Sequence, residues 1–444
     1  MIAKKEGMTH AETIEKLCSL RNHGSKFGID RMRLLSEAIG APQKHFPAIH
    51  LAGTNGKGST SAMLESILRS KGLRVGLYTS PHLVKLGERI QVNRAPLDDA
   101  AICAYAEKLY AASSRFGKPG DEDFPSFFEL MTAMAFLRFS ETHCDAAVIE
   151  TGLGGRLDAT NILQPKVCAI TSIGLDHCDM LGGTIEAVAA EKAGIIKPGV
   201  PVVLGCVPEA AERVIRSVAH EKGAPLISVR ERFGDDIDAY PQTNLFGDHQ
   251  RRNAATATLV AEIFFRETRN EAAGDISTAL NTVCWPARWE RRKLEDGREL
   301  IIDVAHNAEC AVALDAMLSA HIEKTGTRPS LIVGVLGTDR AQPILRVIAK
   351  HAGRIFLVRP AQDRACSLAD LRACIPADFS GSIFESDVAT LFPGKGYCAL
   401  ETQPGESIIV AGSCYLAGEV IAALAGNADD SEQNLQDKLP NAKP

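Results

Sequence analysis

No C-x-x-C pair occurs in this chain of 444 residues, although it holds 12 cysteines. They are scattered from Cys18 to Cys414, and several lie inside apolar runs, such as Cys168 in VCAIT and Cys206 in VVLGC. A zinc or disulfide framework needs closer pairing in sequence, so these cysteines read as small, reduced core residues. Also missing is any apolar run near the roughly 18 residues that span a bilayer. Met1 to Met8 carries charge but is not followed by the apolar stretch of a secretory leader. Both absences lead to the expectation of a cytoplasmic protein with no membrane partner. Lys and Arg number 49 against 55 Asp and Glu, a formal charge of −6, with no basic block. Phosphate backbones are bound by clustered cations that release counterions, so nucleic acid is not an expected partner. No motif recurs at a fixed period.

What is present is an ordinary globular composition, 45% hydrophobic, in a chain too long for one core. Thr9 followed by Glu12 forms a capping box, and Ile14, Leu17 and Leu20 then line one side of a helix over 9–20. Beyond it, short apolar runs at 48–53, 73–80, 145–152, 167–174 and 200–205 alternate with longer helix-compatible segments. That alternation predicts an α/β fold with a mostly parallel sheet covered by helices on both faces. The pattern restarts near 299, with runs at 299–307, 331–337, 354–358 and 407–413. Between the two blocks, CWPARWERR (284–292) carries Pro286, which breaks local regularity and reads as a linker. The expected domains are 1–285 and 286–425, followed by a disordered tail over 426–444 that has almost no apolar content.

The sharpest motif is GTNGKGST (53–60), placed after a strand-like run and before a helix-compatible segment. Glycines allow successive N–H groups to turn toward one anion, the helix adds its positive end, and Lys57 supplies charge for phosphates. Gly58 intervenes between Lys57 and Ser59, so the match to a strict phosphate loop is imperfect. The cluster ETGLGGRLDATN (150–161) fails as a dinucleotide fingerprint, because the last glycine position falls on Leu157. Ligands of parallel sheets collect at the carboxyl edges of strands, and Ser80, Glu150 and His177 all reach that edge. A hydroxyl and a carboxylate beside a phosphate loop suit Mg²⁺, whereas imidazole is a softer ligand. Each also has a structural alternative: Ser80 as a turn residue before Pro81, Glu150 as an arginine's partner, His177 as a cap beside Asp176. Lys192, in EKAGIIKPG, is near the same edge. It is a solvated helix lysine, or it contacts phosphate, loses its proton, or reacts with carbon dioxide to become a carbamate.

In fixed order, GTNGKGS (53–59), TSPHL (79–83), ERIQVN (88–93), ETGLGGRLDATN (150–161), SIGLDH (172–177), EKAGIIK (191–197), HQRRNAATA (249–257), WPARWE and DVAHN (303–307) resemble bacterial folylpolyglutamate synthases. The likeness is greatest to the bifunctional dihydrofolate synthase/folylpolyglutamate synthase type of the Mur ligase superfamily, and it covers about residues 12–424. It implies a P-loop ATP-binding domain of the Mur ligase central type, followed by a smaller Rossmann-like α/β glutamate-ligase domain. The implied activity is an ADP-forming ligase. ATP phosphorylates a carboxylate of dihydropteroate or a (tetrahydro)folate, and the amino group of L-glutamate attacks the acyl phosphate. These small molecules would be its partners, and the family suggests a monomer.

The resemblance implies that Thr54, Asn55, Gly56, Lys57, Gly58, Ser59, Asn253, Arg288, Asp303 and His306 bind the nucleotide. It implies two Mg²⁺ sites, with Ser80 and Glu150 on the first and His177 on the second, and a carbamylated Lys192. Lys57, His177 and Lys192 form the implied catalytic set. At the pterin end it implies Phe128, Asp158 and Ala159, with Ile29 flanking them. A carboxylate at 158 could accept two hydrogen bonds from an aminopyrimidinone, and the Phe128 ring could stack on it. Three departures stand out. Ala308 replaces the proline of D-G-A-H-N-P, which puts the following helix start in doubt; Ala287 replaces a glycine; and Thr338-Asp339-Arg340 replaces D-K-D. Alternatives are a synthase restricted to polyglutamates, a cell-wall Mur ligase, and a nucleotide-binding regulator lacking ligase activity.

Overall fold

In the computed structural model, which describes residues 9–21, 28–427 and 432, the expected alternation folds into two sheets. The first comprises β1 (Ala48–Ala52), β2 (Val75–Tyr78), β3 (Ile90–Val92), β4 (Ala95–Pro96), β5 (Ala146–Glu150), β6 (Val167–Ile170), β7 (Val202–Leu204) and β8 (Leu226–Ser228). Their order is β4-β3-β2-β5-β1-β6-β7-β8. All pairings are parallel except β2 with β3 and β3 with β4. The second sheet comprises β9 (Glu290–Lys293), β10 (Glu299–Ile302), β11 (Ser330–Val333), β12 (Arg354–Val358), β13 (Ser382–Ser386) and β14 (Ile408–Ala411). Its order is β13-β12-β11-β14-β10-β9, and only β9 runs antiparallel. Central strands such as β1 and β5 are buried at every position, which is why they read as continuous apolar runs.

The first helix spans His10–Arg21, with Thr9 and Glu12 exchanging the expected capping hydrogen bonds at 3.3 and 2.9 Å. Leu17 and Leu20 are buried against the face of the sheet that also packs Phe127–Glu141. The opposite face is covered by helices Lys57–Ser70 and Asp248–Arg269. The segment read as a linker is divided between the halves. Trp285 packs on the first core, Trp289 is buried in the second, and residues from Glu290 already belong to β9. The helix after DVAHN begins at Ala308 despite the missing proline, because the Asn307 side chain caps it by accepting from Cys310 N–H at 2.9 Å.

The eleven cysteines described are free, Cys284 exposed and Cys144, Cys168, Cys366 and Cys398 buried. No helix among the described residues is long and apolar enough to cross a membrane. The stretch expected to be a tail lies outside the described residues except for Gly426, Asn427 and Glu432. Glu432 is buried, its carboxylate accepting from Leu86 N–H at 2.7 Å.

Candidate functional site

The carboxyl edges of both sheets face one cleft of about 290 Å³. The chain reverses direction around β1, whose neighbours β5 and β6 leave it on opposite sides, and such a switch point opens a crevice above the strand ends. The segment after β1 is held by the segment after β6. Thr54 N–H donates to Ser172 O at 2.8 Å, Asn55 N–H to Ser172 Oγ at 3.0 Å, and Thr171 Oγ1 to Asn55 O at 2.7 Å. Gly53 sits at φ 156°, where a Cβ would lie 1.9 Å from Thr171 Oγ1; at Gly56, φ 82°, it would meet Asn253 Oδ1 at 2.4 Å. Only glycine lets the loop lie this close to its supports. Gly56 leaves the helix Lys57–Ser70 without a side-chain cap, so its positive end opens into the cleft.

Lys57 Nζ donates to Gly53 O at 3.0 Å and lies 3.9 Å from Glu150 Oε1. Glu150 ends β5 and is 4% exposed, and its Oε2 is buried without a hydrogen-bond partner. Burial pushes its carboxyl up to about 7, opposed by Lys57, Arg288 and the Ser80 N–H. Ser80 follows β2 and so reaches the same edge. Lys192, in helix Ile185–Ala193, is 4% exposed and donates to Gly53 O at 2.9 Å. Burial, reinforced by Lys57, drops its ammonium to about 7. His177 stands just before a short helix at φ 53° without capping it through its side chain, and burial drops its imidazole to about 4, so the ring is neutral near pH 7.

From the second sheet, Asp303 follows β10. Its two oxygens accept from Trp289 N–H and Ala305 N–H, each at 2.8 Å, leaving one acceptor position per oxygen for a ligand. His306 Nδ1 is held by Val304 O at 2.9 Å. All fourteen residues expected to hold nucleotide or metal line the cleft: Thr54, Asn55, Gly56, Lys57, Gly58, Ser59, Ser80, Glu150, His177, Lys192, Asn253, Arg288, Asp303 and His306.

The four residues expected at the pterin are not among its lining. Phe128 lies behind Gly152, where a Cβ would come within 2.4 Å of its ring, and its centroid is 6.1 Å from that of Tyr78. Ala159 is buried, and Ile29 precedes helix Asp30–Ala38, which Arg31 ties to Glu129 at 3.4 Å. Asp158 is held within its own turn. Its Oδ2 accepts from Gly152 and Leu153 N–H, both at 2.9 Å, and its Oδ1 from Thr160 N–H at 3.0 Å and Thr160 Oγ1 at 2.5 Å. Those four donors fix the carboxylate and organise the turn. Beneath it, buried His50 places Nε2 2.8 Å from Thr160 Oγ1, and burial drops its imidazole to about 3. Since Thr160 Oγ1 donates to Asp158, the neutral His50 ring is the donor to Thr160.

Sequence reasoning did not find the contacts that join the two halves. Asn55 Nδ2 donates to Glu309 at 2.6 Å, and Asn307 Nδ2 donates both to Asn55 Oδ1 and to Asp176, each at 3.1 Å. Arg340 pairs with Asp176 and lies 3.4 Å from His177. Burial opposes ionisation of Asp176, yet His177, Arg340, His306 and Asn307 together hold its carboxyl below the usual range. The only sequence signal for Arg340 was its departure from D-K-D.

Residues 51–261 match the model of the Mur ligase middle domain. The chain is 32% identical over 424 residues to the dihydrofolate synthase/folylpolyglutamate synthase of Bacillus subtilis, covering 89% of this chain and 95% of that protein. It superposes on a folylpolyglutamate synthase from Thermotoga maritima with TM-score 0.79 and 29% identity, covering 94% and 97% of the two chains. E. coli FolC in complex with DHPP and ADP gives TM-score 0.78 at 28% identity, covering 94% and 98%.

Proposed function

Because the chain belongs to the dihydrofolate synthase/folylpolyglutamate synthase family, we propose that its interdomain cleft binds Mg·ATP over the 53–59 loop and there activates a folate-type carboxylate for attack by glutamate. The protein is an ATP-dependent, ADP-forming ligase that adds L-glutamate to dihydropteroate and to folates. The observation that carries the site assignment is the meeting of a phosphate loop, a buried carboxylate and two lysines from the first sheet with Arg288, Asp303 and His306 from the second.

The loop N–H groups and Lys57 take the phosphates, while Asp303 and His306 position the nucleotide from the other side. A substrate carboxylate oxygen attacks the γ-phosphorus and ADP leaves. The glutamate amine then attacks the acyl carbon and gives up a proton to solvent, and phosphate departs with the oxygen that came from the carboxylate. Bringing anions together is costly, and Lys57, Arg288 and Arg340 supply fixed positive charge where it accumulates. The Asn55, Asn307 and Glu309 contacts hold the halves closed, which keeps water from the acyl phosphate.

The donor set fits Mg²⁺: a hydroxyl and a carboxylate whose Oε2 lacks any partner are hard oxygen ligands. Ser80 and Glu150 would hold one ion, and His177 with carbamylated Lys192 the other. When bound, the ions neutralise phosphate charge and polarise the transferred group. Lys192 is suited to the modification, since an amine titrating at about 7 is substantially neutral at physiological pH. The ammonium first gives a proton to solvent; the freed nitrogen lone pair then bonds to the carbon of CO₂ and a second proton leaves, so the side-chain charge changes from +1 to −1 with two protons released. Phe128, Ala159 and Ile29 surround the proposed pterin end, where the turn organised by Asp158 presents backbone. We place the enzyme in the cytoplasm as a monomer; free cysteines suit a reducing compartment.

A substrate panel tests this reading. Glutamate-dependent phosphate release is expected with dihydropteroate and with tetrahydrofolate and its one-carbon forms. Release with tetrahydrofolates alone would confine the enzyme to polyglutamate synthesis.

A further inference from the structure

We propose that Arg364 binds a carboxylate of the incoming amino acid and so sets the enzyme's preference for glutamate, an inference that rests on the ligase reading above. Arg364 lines the cleft from the second sheet and has no ion pair or hydrogen-bond partner among the described residues. The other cations of the cleft are engaged. Arg340 pairs with Asp176, Lys57 and Lys192 both donate to Gly53 O, and Arg288 donates to Ala287 O at 3.1 Å.

Arg364 is also held in place. On one side, Glu419 Oε1, in helix Cys414–Ala425, accepts from Ala361 N–H at 2.7 Å. On the other, Ala365 bridges to Leu336 just beyond β11, and Cys366 N–H donates to Val335 O at 3.0 Å. Gln362 O accepts from Ala365 N–H at 2.9 Å, closing the turn that carries the arginine. Both shoulders are thus fastened to elements that themselves line the cleft at Leu336, Cys414 and Tyr415.

A guanidinium presents a planar fork that matches a carboxylate, and a site built around one rejects analogues that lack the charge. The phosphates already have the glycine loop, its helix and Lys57 on the first sheet. The carboxylate to be activated must meet the γ-phosphate beside Lys57, whereas the amino acid's two carboxylates need a counter-charge elsewhere that leaves the amine free to reach the acyl carbon. Arg364, on the opposite wall, supplies it.

The test is steady-state kinetics of Arg364→Gln with saturating ATP and dihydropteroate and varied L-glutamate. The KM for glutamate is expected to rise about 10- to 100-fold, while the KM values for ATP and dihydropteroate stay within about twofold. Arg364→Lys, which keeps charge but loses the fork, is expected to recover part of the loss, and it serves if the glutamine variant fails to fold. Wild type and Arg364→Gln are then compared with L-glutamine and with isoglutamine, which lack the γ- and α-carboxylate respectively. The variant's handicap should vanish with whichever amide removes the contacted group. An unchanged KM for glutamate, or a rise confined to ATP, overturns the inference and leaves the ligase reading intact. A wild-type enzyme that forms no amide with glutamate overturns that reading itself.

Discussion

Replacing Glu150 with Gln is expected to lower amide formation by about 10³-fold or more and to leave the thermal midpoint unchanged or slightly raised. The two halves of this expectation come from one fact. Glu150 ends β5 in a fully buried position, with Oε2 lacking a partner and the carboxyl pushed up to about 7 by burial. Such a group is a burden on the fold: an isolated buried carboxylate is costly, and Lys57 at 3.9 Å offsets only part of that cost. Removing its charge in an isosteric side chain therefore does not harm folding. A buried carboxylate kept at this edge is explained if a cation completes it. Gln would keep one oxygen but offer such a cation an amide NH₂ and withdraw the negative charge. Glutamate-dependent phosphate release and a thermal melt check both parts. Wild-type turnover in Glu150→Gln would show that this carboxylate is not a metal ligand.

Lys192→Ala is expected to abolish turnover to a similar degree, and millimolar short carboxylic acids are expected to restore part of it. Lys192 donates to Gly53 O from a site that is 4% exposed, beside Lys57. As an ammonium it would add positive charge where cations must already gather. As a carbamate it would present oxygens to a second ion, a role a small carboxylate in the vacated space could imitate. A carbamate formed from ¹³C-labelled bicarbonate gives a carbonyl resonance in the wild type that the variant lacks. Activity surviving the substitution without added acid would remove Lys192 from the mechanism.

Much of this site was legible because parallel strands deliver their last residues to one edge. Once 48–53, 73–80 and 145–152 are read as strands, the loop at 53–60, Ser80 and Glu150 must converge. Edge strands were harder. β8 and β13 are short or partly exposed, so they lack the continuous apolar run, and β9 (Glu290–Lys293) alternates exposure inside a segment rich in charge. The contacts of Asp176 with Arg340 and of Asn55 with Glu309 depend on how one sheet is set against the other, which no local pattern encodes. The contacts of Asp158 within its own turn were hidden for a different reason. Its residue type suits a ligand contact, but the short loop from Gly152 to Thr160 folds back and fills all four of its acceptor positions.

The central claim is that a substrate carboxylate is phosphorylated before glutamate attacks it. Dihydropteroate labelled with ¹⁸O in its carboxylate, turned over with ATP and L-glutamate, tests this directly by mass analysis of the phosphate released. An acyl phosphate puts one labelled oxygen in each phosphate, carried across when the acyl carbon–oxygen bond breaks. Unlabelled phosphate accompanying dihydrofolate formation would contradict it.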